Sequence, residues 1–151
     1  MIAWTYLDKK TASVEALKDY AAMEFIIANH TEVEAELREN MTGIRSGTPT
    51  GLPRNPNPKA GEARLAAQLD EIDVLKERYR QALEYMEWFR PAWHDLSEEE
   101  QFVLEEFFLR EDISKTDAIL NIGERLCIER THVYRRKDKA LNHLVLLLYG
   151  K

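Results

Sequence analysis

Residues 119–138 read ILNIGERLCIERTHVYRRKD. Ile119, Ile122 and Leu126 recur at spacings of three and four, which is one face of an α-helix. Cys127 and Ile128 interrupt that period, and a second helical stretch opens at Glu129 with Val133 as its inward residue. Two helices that cross steeply need a small residue where their backbones approach, and Gly123, flanked by Ile122 and Leu126, meets that need. Ile128 is placed to plug the angle from inside. The spacing predicts a helix-turn-helix, a unit that inserts the N-terminal end of its second helix into the DNA major groove.

The outward positions of the second helix fit that use. Glu129, Arg130, Thr131, His132, Tyr134 and Arg135 come first, and Arg136, Lys137 and Lys139 follow. Arginine forks onto guanine O6 and N7, threonine touches a thymine methyl or a phosphate, and tyrosine stacks or donates to phosphate. Lys115 and Thr116 open the first helix, where backbone donors and the helix dipole already favour a phosphate. The eleven residues Lys115, Thr116, Glu129 to His132, Tyr134 to Lys137 and Lys139 form the candidate DNA-binding set.

Charge is distributed to match. The chain has 151 residues and a formal net charge of −6, which taken whole argues against a nucleic-acid partner. Residues 1–113 hold 13 basic and 23 acidic residues, a net of −10, whereas residues 114–151 hold 8 and 4, a net of +4. The basic excess falls on the segment that would face phosphates, so the chain is electrostatically two objects.

Working outward, Ser114 with Asp117 opens the helix that reaches Leu126, and Glu129 to Tyr149 forms the next, burying Val133, Ala140, Leu141 and Leu144 before Gly150. Upstream, Ser97 with Glu100 is a capping box at the start of a helix expected to reach Arg110, with Phe102, Val103, Phe107 and Phe108 as its apolar face. Glu62 to Arg90 is the strongest helix, its seam running through Leu65, Leu69, Ile72, Leu75, Tyr79, Leu83, Met86 and Phe89 over roughly 43 Å at 1.5 Å per residue. Pro91, which lacks an N–H, is expected to stop it, and Trp88, Phe89 and Trp93 to lock it onto the C-terminal bundle.

Thr42 to Gly61 holds four of the five prolines and four of the six glycines, a density that no regular element is expected to survive. Before it, Thr11 to Met41 has helical spacing through Val14, Leu17, Ala21, Ile27, Val33, Leu37 and Met41. A break is expected near Asn29 and His30, because Thr31 and Glu34 read as a second capping box. With no strand pattern, the fold class is all-α. Residues 1–92 form an acidic antiparallel helical hairpin, coiled-coil-like, with a Pro/Gly loop at 42–61, and residues 93–151 form the helix-turn-helix domain.

The segment from Trp93 to Tyr149, with LSEEEQFVLEEFF followed by IGERLCIERTHVYRRKDKALNHL, resembles region four of bacterial primary sigma factors, which reads the −35 promoter element. With the acidic hairpin in front, the whole chain resembles phage-encoded regulators of the ArpU/RinA type, activators of late or packaging operons. The resemblance implies double-stranded DNA as partner, and it matches Arg130, Thr131, Tyr134 and Arg135 to the base-reading positions. Two positions depart from the sigma pattern: Cys127 stands where the turn usually has glycine, and Arg136 stands where an apolar inward residue is usual. Arg136 is expected to snorkel toward the groove or a carboxylate.

Other readings are narrower. Cys127 reads as a small buried turn residue, and His132 and His143 with Cys127 lack a zinc spacing, so neither metal nor cofactor is expected. The carboxylates at Glu98 to Glu100, Glu105 and Glu106 sit on solvated faces without a nucleophile, so an enzyme is not expected. The run Leu144 to Tyr149 is too short for a membrane span and reads as core, with a partner surface as the alternative; without a secretory signal at Met1 to Leu7, and with one cysteine, the expected location is the bacterial cytoplasm. The hairpin is expected to hold RNA polymerase or a second copy of the chain. Alternatives are a packaging protein of the small-terminase type, or an interaction module that binds polymerase or sigma factor without DNA.

Overall fold

Every regular element among the described residues, 8–45 and 58–150 of the computed structural model, is helical. In order these are α1 (Lys9–Arg45), α2 (Pro58–Asp95), α3 (Glu98–Leu104), a π-helical segment (Glu105–Leu109), α4 (Lys115–Leu126) and α5 (Arg130–Tyr149). None of these helices is long and apolar enough to cross a membrane. The residues group into two compact units, one spanning 23–84 and the other joining the chain up to Ala22 with the chain from Tyr85 onward. That division cuts both long helices and does not fall at residues 92–93.

In the 23–84 unit an alternation of three- and four-residue steps selects most of the inward side chains, with Ile26 and Asn29 half-buried beside them. On α1 they are Met23, Ile27, His30, Glu34, Leu37 and Met41; on α2 they are Leu65, Gln68, Ile72, Leu75, Tyr79 and Ala82. Leu69 and Leu83, expected in the seam, are exposed, as are Ala21 and Val33; Gln68 and Ala82 occupy the inward positions beside the two leucines. The coiled-coil step chooses by angle, not by hydrophobicity. His30 stacks on Tyr79 at 4.0 Å between centroids, while Val33 to Asn40 share a groove with Ala67 to Arg78, so the two segments run in opposite directions.

The expected break at Asn29 and His30 is absent. The Asn29 amide donates to the Phe25 carbonyl one turn back at 2.9 Å, and Glu34 is engaged by His30 at 3.2 Å and Arg38 at 2.6 Å. Glu34 therefore stabilises one continuous helix and does not cap a new one. Residues 42–45 and 58–61, expected to be irregular, are also helical, and the rest of the Pro/Gly segment, 46–57, lies outside the described residues. Pro58 occupies the first helical position, where its missing N–H would have no intrahelical partner.

The other unit has the fuller core. Leu17 of α1, Phe89 and Trp93 of α2, Leu104, and Ala140, Leu141, Leu144 and Leu148 of α5 pack together, with Leu17, Phe89, Leu104 and Leu144 fully enclosed. The Trp88 indole N–H donates to the Leu148 carbonyl at 3.2 Å, and the Tyr85 hydroxyl donates to the Ala16 carbonyl. Burial pushes the Tyr85 hydroxyl's pKa up, so it remains a donor. Pro91 does not stop α2, which continues to Asp95. An internal proline costs about 3 kcal/mol, but the turn beyond it buries Ala92 and Trp93, with Leu96 just after, and transfer of such apolar surface from water is worth about as much. The Gln101 amide donates to the Trp93 carbonyl at 2.7 Å, supplying a partner at the helix end.

The capping box of Ser97 and Glu100 is formed at the start of α3. Beyond Leu104 the helix widens into the π turn, closed by the Arg110 N–H on the Glu105 carbonyl at 3.1 Å, so the expected single helix to Arg110 is in two parts. Leu104 and Glu106 are buried there, and neither belongs to the apolar face read from the period. Glu106 is reached by Arg110 at 3.2 Å and by the Asn121 amide at 3.5 Å, which ties the π turn to α4.

Candidate nucleic-acid interface

A second cluster, Val103, Ile119, Ile122 and Val133 with Phe102, Phe107, Leu126 and Ile128 against it, fixes α4 and α5 to α3. The connection between α4 and α5 is short because its backbone is closed on Gly123: the N–H groups of Cys127 and Ile128 both donate to the Gly123 carbonyl, the second at 3.1 Å. This requires positive φ at Cys127, observed at φ 54 and ψ 46, in the left-handed region that glycine enters without penalty. A Cβ at residue 123 would stand 3.1 Å from the Ile128 carbonyl oxygen, so the close approach read from the sequence at Gly123 is present. Cys127 itself is exposed, contrary to the expected buried turn residue; the left-handed turn directs it away from the apolar cluster that takes Ile128.

The two helix starts differ. At α4, Ser114 Oγ accepts the Asp117 N–H at 3.2 Å, and the Asp117 carboxylate accepts from the Ser114 hydroxyl at 2.7 Å. That start therefore already has a carboxylate beside its N–H groups. At α5, Glu129 takes the N-cap position with φ −77 and ψ 159 but makes no side-chain cap. Its first-turn N–H groups are left open to an anion from outside.

Of the eleven candidate residues, all but Lys137 are exposed. Val133, Ala140, Leu141 and Leu144 face inward, which puts Thr131, Arg135 and Lys139, four residues apart, along the outer side of α5. Arg130 and Thr116 line one notch, of about 340 Å³, whose apolar floor includes Ile119, Leu120 and Ile128. The starts of α4 and α5 thus meet. Lys115, Arg130, Arg135 and Lys139 have no ion-pair partner among the described residues.

Three candidates are engaged within the molecule. Arg136 Nη1 lies 2.5 Å from Glu99 Oε1 on α3, so the inward position that departs from the sigma pattern is satisfied by a carboxylate. The Lys137 ammonium sits over the rings of Phe107 and Tyr134, at 5.2 and 5.5 Å from their centroids, and Tyr134 leans on Phe107 at 6.3 Å. Arg125, which the sequence reading passed over, covers the Phe102 ring at 4.2 Å. Phe102 by itself is a weak signal for such a cation, since pairing across elements has no fixed spacing.

Behind this surface Glu100 holds α5 in place. His143 Nδ1 lies 2.9 Å from its carboxylate, which also accepts the Ser97 N–H at 3.0 Å. An ionised carboxylate only accepts, so the proton of that bond resides on Nδ1. Burial pushes the Glu100 pKa up, but the Ser97 N–H and the His143 ring outweigh it and hold the carboxyl below its usual range. Comparison with protein-family models, curated proteins and solved structures found no match to the chain.

Proposed function

We propose that the chain is a sequence-specific DNA-binding transcription regulator of the phage ArpU/RinA kind, and that α4 and α5 act as a helix-turn-helix. The supporting observation is the group of unpaired cations around an uncapped helix start: Arg130 and Arg135 on α5, with Lys115 and Lys139 to either side. Arg130 and Arg135 are the base readers, each able to fork onto a guanine, and Thr131 between them offers a methyl and a hydroxyl. The open N–H groups of the first turn of α5 receive a phosphate; at α4 the Asp117 carboxylate competes for that role, so Lys115 and Thr116 contribute through their side chains. Arg136 and Lys137 are positioning residues that steady α5 against α3 and the π turn. The acidic helices in front stay away from the duplex by charge.

Selection of bound duplexes from a random DNA pool, followed by footprinting at a promoter, tests this reading. The expected result is one enriched motif, bound with an affinity that falls with salt at a log–log slope near −0.9 per neutralised phosphate. A pool that never departs from random, at any salt, would sink it.

A further inference from the structure

In the 23–84 unit, Ile72 and Ala82 are the two apolar side chains that are buried among the described residues, whereas Phe25, Val33, Leu69, Val74 and Leu83 are exposed. Two helices alone cover one stripe of each other, and so few buried side chains leave the pair marginal without a third element. The place for it is a groove of about 540 Å³ between residues 33–40 of α1 and 67–78 of α2. Leu37, Val74 and Leu75 form its floor, and Glu36, Asp70 and Glu71 form its rim. Three carboxylates of this unit that lie outside the groove are neutralised along their own helix, Glu34 by Arg38 and both Glu77 and Glu84 by Arg80. Glu36, Asp70 and Glu71 have no cation partner among the described residues, and Arg78 at one end is the single basic residue of the lining.

We infer that this groove docks one amphipathic helix of a partner protein, with an apolar stripe on the Leu37–Val74–Leu75 floor and lysines or arginines on both flanks facing Glu36, Asp70 and Glu71. The length fits: residues 67–78 span roughly 16 Å, about three helical turns. The charge selects the partner. A second copy docking through the same face would set three carboxylates against three, with one arginine from each side to offset them, whereas basic flanks complement the rim and an apolar stripe covers the floor. The inference is independent of the DNA-binding reading, since the groove residues belong to the other unit and the test contains no DNA.

The probes are two synthetic 16-residue helices with the same leucine stripe, one with lysines on both flanks and one with glutamates, titrated into the full chain by fluorescence anisotropy. The lysine peptide is expected to bind at least about tenfold tighter than the glutamate peptide. Asp70→Lys with Glu71→Lys on α2 should reverse that order, and Glu36→Lys on α1, an exposed site that disturbs no packing, should weaken the lysine peptide by itself. Equal affinity for the two peptides, or binding of neither, overturns the inference. So does a sedimenting dimer that Val74→Glu converts to monomer, which would give the groove to a second copy.

Discussion

The two units bury apolar side chains very differently from similar helices. The unit that contains α3, α4 and α5 closes around Leu17, Phe89, Leu104 and Leu144, while the 23–84 unit, built from continuations of the same two long helices, encloses Ile72 and Ala82. What separates them is the number of covering elements: Phe89 belongs to a cluster drawn from α1, α2, α3 and α5, whereas Leu37 faces one neighbouring helix and an open groove. The enclosed unit holds a cationic surface in fixed geometry, and the open unit keeps a face free.

The largest consequence is in stability. Phe89→Ala should cost about 3–5 kcal/mol, the range for emptying a fully buried aromatic site. Leu37→Ala, half-buried beside the groove, should cost about 1 kcal/mol. Denaturant unfolding of both variants checks the pair, and comparable losses would erase the contrast between the units. A smaller effect belongs to the cap: Ser114→Ala removes the acceptor for the Asp117 N–H and should cost about 1 kcal/mol.

Acid sharpens the same comparison. Glu100 has its folded pKa below the ordinary carboxylate value, so its contribution is full above that value and is lost as pH falls through the lowered folded one. A pH titration of stability below about 4.5 should therefore show a loss that Glu100→Gln lessens. Smallest of all is Glu99→Ala. Its pair with Arg136 is substantially exposed, so stability should change by less than about 1 kcal/mol. A large loss would mean that Arg136 is held more firmly than a surface ion pair allows.

Much of this was legible in the sequence where local rules decide. The capping boxes at Ser97 and Ser114, the turn after Leu126 and the close approach at Gly123 each follow from residues within five positions of one another. The all-α class followed from periodicity alone. What the sequence hid was decided across elements. His30 looked like a break because Thr31 and Glu34 form a capping pattern, but Tyr79, 49 positions away, stacks on it and the helix continues. Pro91 looked like a stop because its cost is local while the burial of Trp93 is not.

The candidate surface divides along the same line. The exposed positions of α5 followed from its period, but nothing in that period separates Arg135, which is free of ion pairs, from Arg136, taken by Glu99 from 37 positions upstream. Lys137 likewise belongs to the DNA-binding set expected from sequence and lies over Phe107 and Tyr134.

Affinity for the selected DNA site, measured for the natural chain and for the Arg130→Ala, Arg135→Ala double variant at one salt concentration, decides whether α5 reads bases. Each bidentate arginine is worth about 1–3 kcal/mol of discrimination. The double variant is expected to lose the preference for that site over random duplex while its helical circular dichroism spectrum stays unchanged. Undiminished preference in the double variant would contradict base reading by α5.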